Sequence, residues 1–102
     1  MIRHAVYFWL KNAGSREDRD RLAAGLAGLR KIDVVRDLQI GIPADTADRD
    51  VVDKSFDVSI LALFDNEADE GSYAVHPLHD RFLEECEHLW ERVVVYDSKH
   101  LG

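Results

Sequence analysis

The sequence predicts one α+β domain of the ferredoxin-like class over residues 1–102, in which four antiparallel strands carry the helices on one face. Three observations support this class. The chain is long enough for a single core and too short for two ordinary domains. Its apolar periodicities follow the order β-α-β-β-α-β. The first strand is apolar on both faces, so we expect a second subunit to cover the face away from the helices, as in a dimeric α+β barrel.

The first strand, residues 2–10, alternates with a two-residue period. The face predicted to meet the helices consists of Ile2, His4, Val6, Phe8 and Leu10. The other face includes Tyr7 and Trp9, which are residue types enriched at protein interfaces. We expect these two residues, with Leu61 and Leu63 of the third strand, to form a homodimer interface. A locally exposed aromatic patch is the alternative.

The first helix is predicted from Ser15 to about Lys31. Ser15 is a suitable N-cap because acidic residues follow it in the first turn, where the helix dipole favours them. The apolar stripe of this helix consists of Leu22, Ala23, Leu26, Ala27, Leu29 and Ile32. Gly25 and Gly28 predict close packing on the sheet, and room for a ligand is the alternative.

The second strand is predicted over residues 34–40 and the third over residues 55–64, where Phe56 shares a face with Val58. The polar segment 44–53 between these strands is predicted to be a surface loop. It contains four aspartates but lacks the glycine and the distal glutamate of an EF-hand. The loop is therefore interpreted as solvated and not as a calcium site.

The C-terminal half is predicted to contain a short helical segment, 67–75, and a second helix that starts at Pro77 and runs to about Glu91. Proline suits the first helical position and restricts the residue before it, so a kink is expected at this junction. The stripe of the second helix consists of Leu78, Phe82, Cys86, Leu89 and Trp90. The last strand is predicted over residues 93–96, with a tail from Asp97.

The charge balance excludes several partner classes. The chain has 13 basic and 20 acidic side chains and a net charge of −7, without a Lys/Arg cluster, so neither nucleic acid nor an anionic membrane is an expected partner. No apolar run approaches the roughly 20 residues that span a bilayer, and the N-terminus moves directly into a strand pattern, so a cytoplasmic protein is expected. Cys86 is the one cysteine, which excludes an intramolecular disulfide, and its apolar neighbours predict a core thiol.

The stretch from Tyr73 to Leu83 holds the residues best suited to chemistry. His79 lies on the apolar side of the predicted second helix, Tyr73 lies just before the kink, and His4 lies on the inner face of the first strand. These side chains can converge at one end of a pocket lined by His4, Val6, Phe8, Phe82 and Trp90. A histidine base beside a tyrosine donor suits proton abstraction next to a carbonyl group. The same residues could also bind an aromatic or polyketide-like molecule without transforming it.

Structural roles are the alternatives for these histidines. His4 could be a hydrogen-bonded core residue, and His76 before Pro77 is interpreted as a capping residue that braces the kink. The spacing His76-x-x-His79 is compatible with a metal site, but no third ligand is evident beside it. We therefore expect neither a metal ion nor another cofactor.

Three motifs resemble one known family. They are Ile2-Arg3-His4-x-Val6-x-Phe8, Tyr73-x-x-His76-Pro77-x-His79-x-x-Phe82 and Trp90-x-x-Val93-x-Val95-Tyr96-Asp97. Together they resemble the stress-responsive dimeric α/β barrel (Dabb) family over nearly the whole chain. The resemblance implies a ferredoxin-like fold and a homodimer formed by sheet-to-sheet packing. It also implies a place for the site, because this family includes a plant polyketide cyclase in which the corresponding tyrosine and histidine carry an aldol-type ring closure.

By this resemblance Tyr73 would orient the substrate and His79 would be the general base, with His4 in the pocket wall. The first helix offers Leu22, Ala23 and other small or aliphatic residues, including Leu26, where the cyclase pocket uses aromatic ones. A chamber of different shape is therefore expected.

The resulting hypothesis is a homodimer that binds a small apolar or aromatic carbonyl compound, with cyclase- or lyase-like proton transfer. Two alternatives stay open. One is a non-enzymatic stress-response or small-molecule-binding dimer, in which the histidines cap and brace the helix. The other, by fold analogy alone, is a cofactor-independent monooxygenase.

Overall fold

A computed structural model describes residues 1–102 and contains one antiparallel sheet of four strands. The strands are β1 (Ile2–Leu10), β2 (Asp37–Gly41), β3 (Val58–Phe64) and β4 (Trp90–Lys99). Their order across the sheet is β2-β3-β1-β4, so the two long central pairings involve β1. This is the predicted ferredoxin-like arrangement.

The helices are α1 (Arg16–Gly28), α2 (Glu67–Ala74) and α3 (Pro77–Cys86). Single 3₁₀ turns follow α1, at Leu29–Lys31, and α3, at Glu87–Leu89. The predicted N-cap of α1 is confirmed, because the Ser15 side chain accepts a hydrogen bond from the backbone N–H of Asp18.

The helices cover one face of the sheet only. Alternate residues of β1 and β3 are buried against leucines of α1 and aromatic residues of α2 and α3, which joins them in one cluster of 17 buried apolar residues. The protein measures 35 × 35 × 17 Å, and the short dimension corresponds to one sheet layer and one helix layer. The other face of the sheet is bare in the protomer.

The predicted second and third strands begin too early. The structure starts β2 at Asp37, because Val35 instead closes a turn in which its N–H donates to the carbonyl of Ile32. Phe56 was predicted to face the core with Val58. It packs against the Tyr7 ring on the outer face instead, with ring centroids 4.9 Å apart. The strict alternation fails there because β3 begins only at Val58.

Asp57 explains that irregularity. Its carboxylate accepts hydrogen bonds from the backbone N–H groups of Leu10 at 2.9 Å and Gly14 at 3.2 Å, which ties the end of β1 and the following turn to the start of β3. Its own N–H donates to the carbonyl of Phe8. The sequence pattern does not reveal this, since an aspartate in an alternating run looks like an ordinary exposed residue.

The end of the chain also differs from the prediction. The helix ends at Cys86 and not near Glu91, and Trp90 opens the last strand. β4 continues through Asp97, which was predicted to begin a tail, as far as Lys99. The strand is long because all nine residues of β1 find partners along it, so backbone pairing overrides the polar sequence of residues 97–99.

Gly25 and Gly28 both lie in α1, but they have different surroundings. A Cβ atom at Gly25 would lie 2.5 Å from Cys86 Sγ and 3.3 Å from the Phe82 ring, whereas a Cβ at Gly28 would meet nothing within 4 Å. Gly25 therefore allows α1 to approach α3 closely, as the packing interpretation expected.

We expect Gly25→Ala to lower the free energy of unfolding by about 1–3 kcal/mol, because the added methyl group overpacks the α1–α3 contact. Gly28→Ala is the matched control. It should be neutral or stabilising by up to ~1 kcal/mol, since alanine is the better helix former. Urea unfolding at unchanged m-value measures both changes. Equal stabilisation by the two substitutions would contradict the close approach at Gly25.

Candidate functional site

A cavity of about 280 Å³ lies between the inner face of the sheet and helices α2 and α3. Eleven of its 14 lining residues are hydrophobic. The lining comprises His4, Val6, Phe8, Leu26, Ile60, Glu70, Tyr73, Ala74, His79, Phe82, Leu83, Trp90, Val93 and Val95. Val93 and Val95 on the edge strand β4 are 43% and 47% exposed, so the cavity is accessible from that edge.

The junction between α2 and α3 places two of the lining residues. His76 is the N-cap of α3, and its Nδ1 accepts a hydrogen bond of 3.0 Å from the N–H of Leu78. Pro77 occupies the first turn, where its missing N–H costs nothing. The N–H of His76 donates to the carbonyl of Tyr73, which closes the end of α2. Tyr73 and His79 thus lie on opposite sides of one kink, which the His76 cap and Pro77 define.

Tyr73 joins the two histidines in one aromatic cluster. Its ring centroid lies 4.9 Å from that of His79 and 5.7 Å from that of His4, in edge-to-face arrangements. Phe64 supports the group from below, with its ring 5.0 Å from that of Tyr73. The structure therefore brings together the three residues that the sequence singled out.

His4 has an orienting partner that the sequence analysis missed. Its Nδ1 lies 2.5 Å from a carboxylate oxygen of Asp97, directly across the β1–β4 pair. Because a carboxylate accepts, this hydrogen bond places the imidazole proton on Nδ1. His4 is 9% exposed, whereas half of the Asp97 side chain is exposed. The prediction ended the last strand before Asp97, so its pairing with His4 was not foreseen.

His79 has no such partner. Its Nδ1 is a buried side-chain nitrogen without any hydrogen bond, and no other buried side-chain nitrogen or oxygen in the chain lacks one. Burial lowers the pKa of His79, and nearby His4 lowers it further, while Asp80 acts in the opposite direction. A histidine in this state is a free base at neutral pH, which is what accepting a proton requires.

The Tyr73 side chain keeps its phenolic proton. It is 2% exposed, and burial with the nearby carboxylate of Glu70 raises the pKa of Tyr73 to about 12. At neutral pH its hydroxyl is therefore a hydrogen-bond donor and not an anion. The pair combines a neutral base and a neutral donor, whose natural acceptor is a carbonyl oxygen.

The titration of His79 can be predicted from this environment. Its NMR midpoint should lie below the ordinary value of about 6.5. Between the folded-state midpoint and the ordinary histidine pKa of about 6.5, the unfolded chain binds more protons than the folded one. The contribution of His79 to the free energy of unfolding therefore falls as the pH decreases through that interval. Side-chain imidazole spectra, assigned with the His79→Gln variant, measure the midpoint. A value at or above 6.5 would contradict the desolvated position.

The other predicted lining residues also face the cavity. Val6, Phe8, Phe82 and Trp90 all line it, with the Phe82 and Trp90 rings stacked at 5.8 Å. Of the residues expected from the first helix only Leu26 lines it. Leu22 is fully buried in the core, and Ala23 is not part of the cavity wall.

Glu70 is the charged lining residue that the sequence analysis missed. It belongs to an acidic helix start that looks like a solvated face, and only its position three residues before Tyr73 could have drawn attention to it.

Cys86 is 3% exposed, and burial raises the pKa of its thiol. This agrees with a core role and not with a nucleophile.

No metal centre is built from these side chains. His76 uses its ring nitrogen to cap α3, and no group of three His, Cys, Asp or Glu side chains in the chain is arranged to hold a metal ion.

None of the helices combines the length and the apolar character that crossing a membrane requires.

The residues predicted to form an interface lie together on the bare face of the sheet. Tyr7, Trp9, Leu61 and Leu63 are half-buried in the protomer. Trp9 is held within its own chain, since its Nε1 donates to Ser55 Oγ at 3.0 Å and Arg92 lies over its ring at 4.2 Å. These intrachain contacts order the aromatic side chain before any partner binds.

Comparison with known proteins identifies relatives of this fold. The sequence pattern of the family described as Stress responsive A/B Barrel Domain matches residues 2–100. No functionally curated protein is significantly similar in sequence. A Dabb family protein with a ferredoxin-like fold from Mesorhizobium loti superposes with a TM-score of 0.78 at 23% identity, covering 99% of this chain and 97% of that one.

Two further structures are similar in fold. One is a dimeric protein of unknown function and ferredoxin-like fold from Bacteroides fragilis, with a TM-score of 0.74, 20% identity, and 97% and 95% of the two chains covered. The other is the hydroxynitrile lyase from Passiflora edulis, with a TM-score of 0.78, 23% identity, and coverage of 95% and 90%. At such identities these likenesses show the fold alone.

Proposed function

This chain belongs to the family of stress responsive A/B barrel domains, and we propose that it binds a small apolar or aromatic carbonyl compound and transfers a proton next to the carbonyl group. One observation carries the proposal. Tyr73 and His79, with rings 4.9 Å apart, line an apolar cavity, and the Nδ1 of His79 is buried without a hydrogen-bond partner. An unpartnered polar atom in such a place is costly unless a ligand uses the site.

The cavity volume limits the size of the ligand. At about 280 Å³ it lies at the lower end of the ~300–1,000 Å³ that is usual for ligand pockets. The Phe82 and Trp90 rings provide flat apolar surfaces, which favour an aromatic ligand. A compound with a single ring and a carbonyl group fits these limits better than a long flexible chain.

The proposed reaction assigns one role to each residue. The Tyr73 hydroxyl donates a hydrogen bond to the carbonyl oxygen, and neutral His79 takes a proton from the adjacent carbon. The electron pair of the broken C–H bond then forms the enolate, whose oxygen Tyr73 stabilises. Histidinium at position 79 returns the proton to the same carbon, or to the alkoxide oxygen that forms when the enolate carbon adds to a second carbonyl group, which restores the neutral base. His4, held by Asp97, shapes the cavity wall beside them.

A motif resemblance and a shared fold bear on this chemistry. The plant polyketide cyclase in the family, which the tyrosine–histidine motif resembles, uses residues of these types for an aldol-type closure. The fold is also that of a hydroxynitrile lyase in Passiflora edulis. The motif resemblance favours a cyclase- or lyase-like role for the cavity over the monooxygenase alternative, which no observation in this chain supports.

We also propose a homodimer formed through the bare sheet face. Tyr7, Trp9, Leu61 and Leu63 supply its apolar surface, and Tyr96, 65% exposed, adds a further aromatic side chain. Dimeric neighbours of the same fold support this assembly. The cavity lies on the opposite side of the sheet, so dimerisation leaves it open.

Deuterium exchange tests the proton-transfer role without knowledge of the natural substrate. The protein is incubated with acetophenone in D₂O, and ¹H NMR follows the loss of the methyl protons next to the carbonyl. Exchange well above the rate in buffer supports the proposal. Binding of acetophenone without exchange would favour the second candidate, a binding protein, whose histidines serve as braces as His76 does. Absence of both binding and exchange would contradict the carbonyl-ligand proposal.

A further inference from the structure

The charged groups around the cavity are unevenly distributed. No lysine or arginine lines it, and Glu70 is its one carboxylate. Glu70 forms no ion pair, whereas the glutamate one turn earlier, Glu67, is paired with Lys99 at 3.3 Å. The Glu70 carboxylate is close enough to Tyr73 to act on its phenol electrostatically.

A second, polar cleft adjoins the cavity through Glu70. It is lined by Ile2, Glu67, Glu70, Asp97, Ser98 and Lys99. Lys99 is its single cationic side chain, and Glu67 already offsets that charge. Asp97 is directed to His4 and adds a further negative charge to this cleft. The N-terminal ammonium group also acts on Glu67, so the cationic groups at this end of the site act on Glu67 and none forms an ion pair with Glu70.

This distribution bears on which ligands can enter. A carboxylate or phosphate is normally bound by arginine, lysine or a helix N-terminus aimed at it. Here an anionic ligand would lose its water in an apolar cavity and meet Glu70 instead of a counter-charge. An uncharged ligand avoids this repulsion, and an ammonium group would be attracted to Glu70.

We infer that Glu70 makes this site selective for uncharged or cationic carbonyl compounds and excludes those with a carboxylate or phosphate. The inference rests on the proposed carbonyl-binding function and names the chemical class of its ligand. Free carboxylic acids are therefore not substrates, whereas neutral ketones, aldehydes and amino ketones are.

Three probes of nearly equal shape test this selectivity: 4-acetylbenzamide, 4-acetylbenzoate and 4-(aminomethyl)acetophenone. Dissociation constants are measured by ¹⁵N-HSQC titration at neutral pH. We expect the wild-type protein to bind the amide about tenfold or more tightly than the carboxylate, and the amine at least as tightly as the amide. In Glu70→Gln the amide-to-carboxylate ratio should fall below about threefold, and Glu70→Lys should reverse the preference.

Glu84→Gln is the matched control, because it removes the same charge from an exposed position of α3 outside the cavity. It should retain the wild-type ratio. Equal binding of amide and carboxylate by the wild type would overturn the inference alone, as would a preference that Glu70→Gln leaves unchanged or an amine that binds more weakly than the amide. If none of the three probes binds, the proposed function falls together with the inference.

Discussion

Replacement of His79 with glutamine is expected to slow deuterium exchange of acetophenone by about 10²–10⁴-fold, the usual range for removal of a general base. The affinity of the His79→Gln variant for acetophenone should stay within about threefold of the wild-type value, because glutamine keeps much of the side-chain volume in an apolar cavity. The reason lies in the environment of the imidazole. Burial lowers its pKa, so the residue is a neutral base at pH 7, and its Nδ1 has no competing partner in the chain.

NMR exchange rates and titrations on the same samples separate the two effects. His88→Gln is the matched control, since it changes a histidine that is exposed on the 3₁₀ turn after α3. It should leave both quantities unaltered. The wild-type rate should also fall with decreasing pH only below the ordinary histidine value of about 6.5, because the lowered pKa keeps His79 unprotonated further into the acid range. An exchange rate that survives His79→Gln would remove this residue from the reaction.

The second large effect, dissociation of the dimer, is expected when a charge is introduced into the bare sheet face. We expect Leu61→Asp to convert a dimer into monomers, raising the dissociation constant of the dimer by about 100-fold or more, because two buried carboxylates would face a symmetric, apolar interface. Leu61 is half-buried in the protomer and pairs with Ala5 on β1 and Gln39 on β2, so it lies centrally on this face. Sedimentation velocity over a range of concentrations measures the change.

Ala68→Asp provides the control for added charge. Ala68 is exposed on α2, in the opposite layer of the protein, and an acidic residue near that helix start is electrostatically favourable. This variant should sediment as the wild type does. Circular dichroism should show both variants folded, since neither position belongs to the buried core. A wild-type protein that is monomeric at micromolar concentration would contradict the proposed homodimer.

Comparison of the predicted and observed elements shows where periodicity is informative. The alternation of β1, the Ser15 cap and the Pro77 helix start were all predicted at the right residues, because each depends on side chains that are neighbours along the chain. The errors concern β2, β3, β4 and the end of α3, which depend on pairing and packing with residues far away in sequence. Phe56 is the clearest case. It was predicted to face the core, but it packs on the outer face, next to Asp57, which accepts a hydrogen bond from the end of β1.

The residues of the candidate site also divide into those that the local sequence predicts and those that it does not. Tyr73, His76 and His79 stand within seven consecutive residues around one proline, so their relation follows from local helix geometry. Their meeting with His4 was predictable from the ferredoxin-like order of elements. Asp97 and Glu70 were not, because neither residue has a local signal. Asp97 reaches His4 only through the register of β1 with β4, and Glu70 reaches the cavity only through the packing of α2.

The amino-acid sequence was sufficient to establish the fold class, the family and the aromatic character of both sheet faces, since these follow from side-chain periodicity and from motifs of adjacent residues. The tertiary structure alone decided the open cavity of about 280 Å³, the unpartnered imidazole nitrogen of His79, the His4–Asp97 hydrogen bond and the carboxylate of Glu70 in the cavity wall. The physical reason is that burial and charge at a site are sums over residues from distant segments. Only strand register and helix packing bring those residues together.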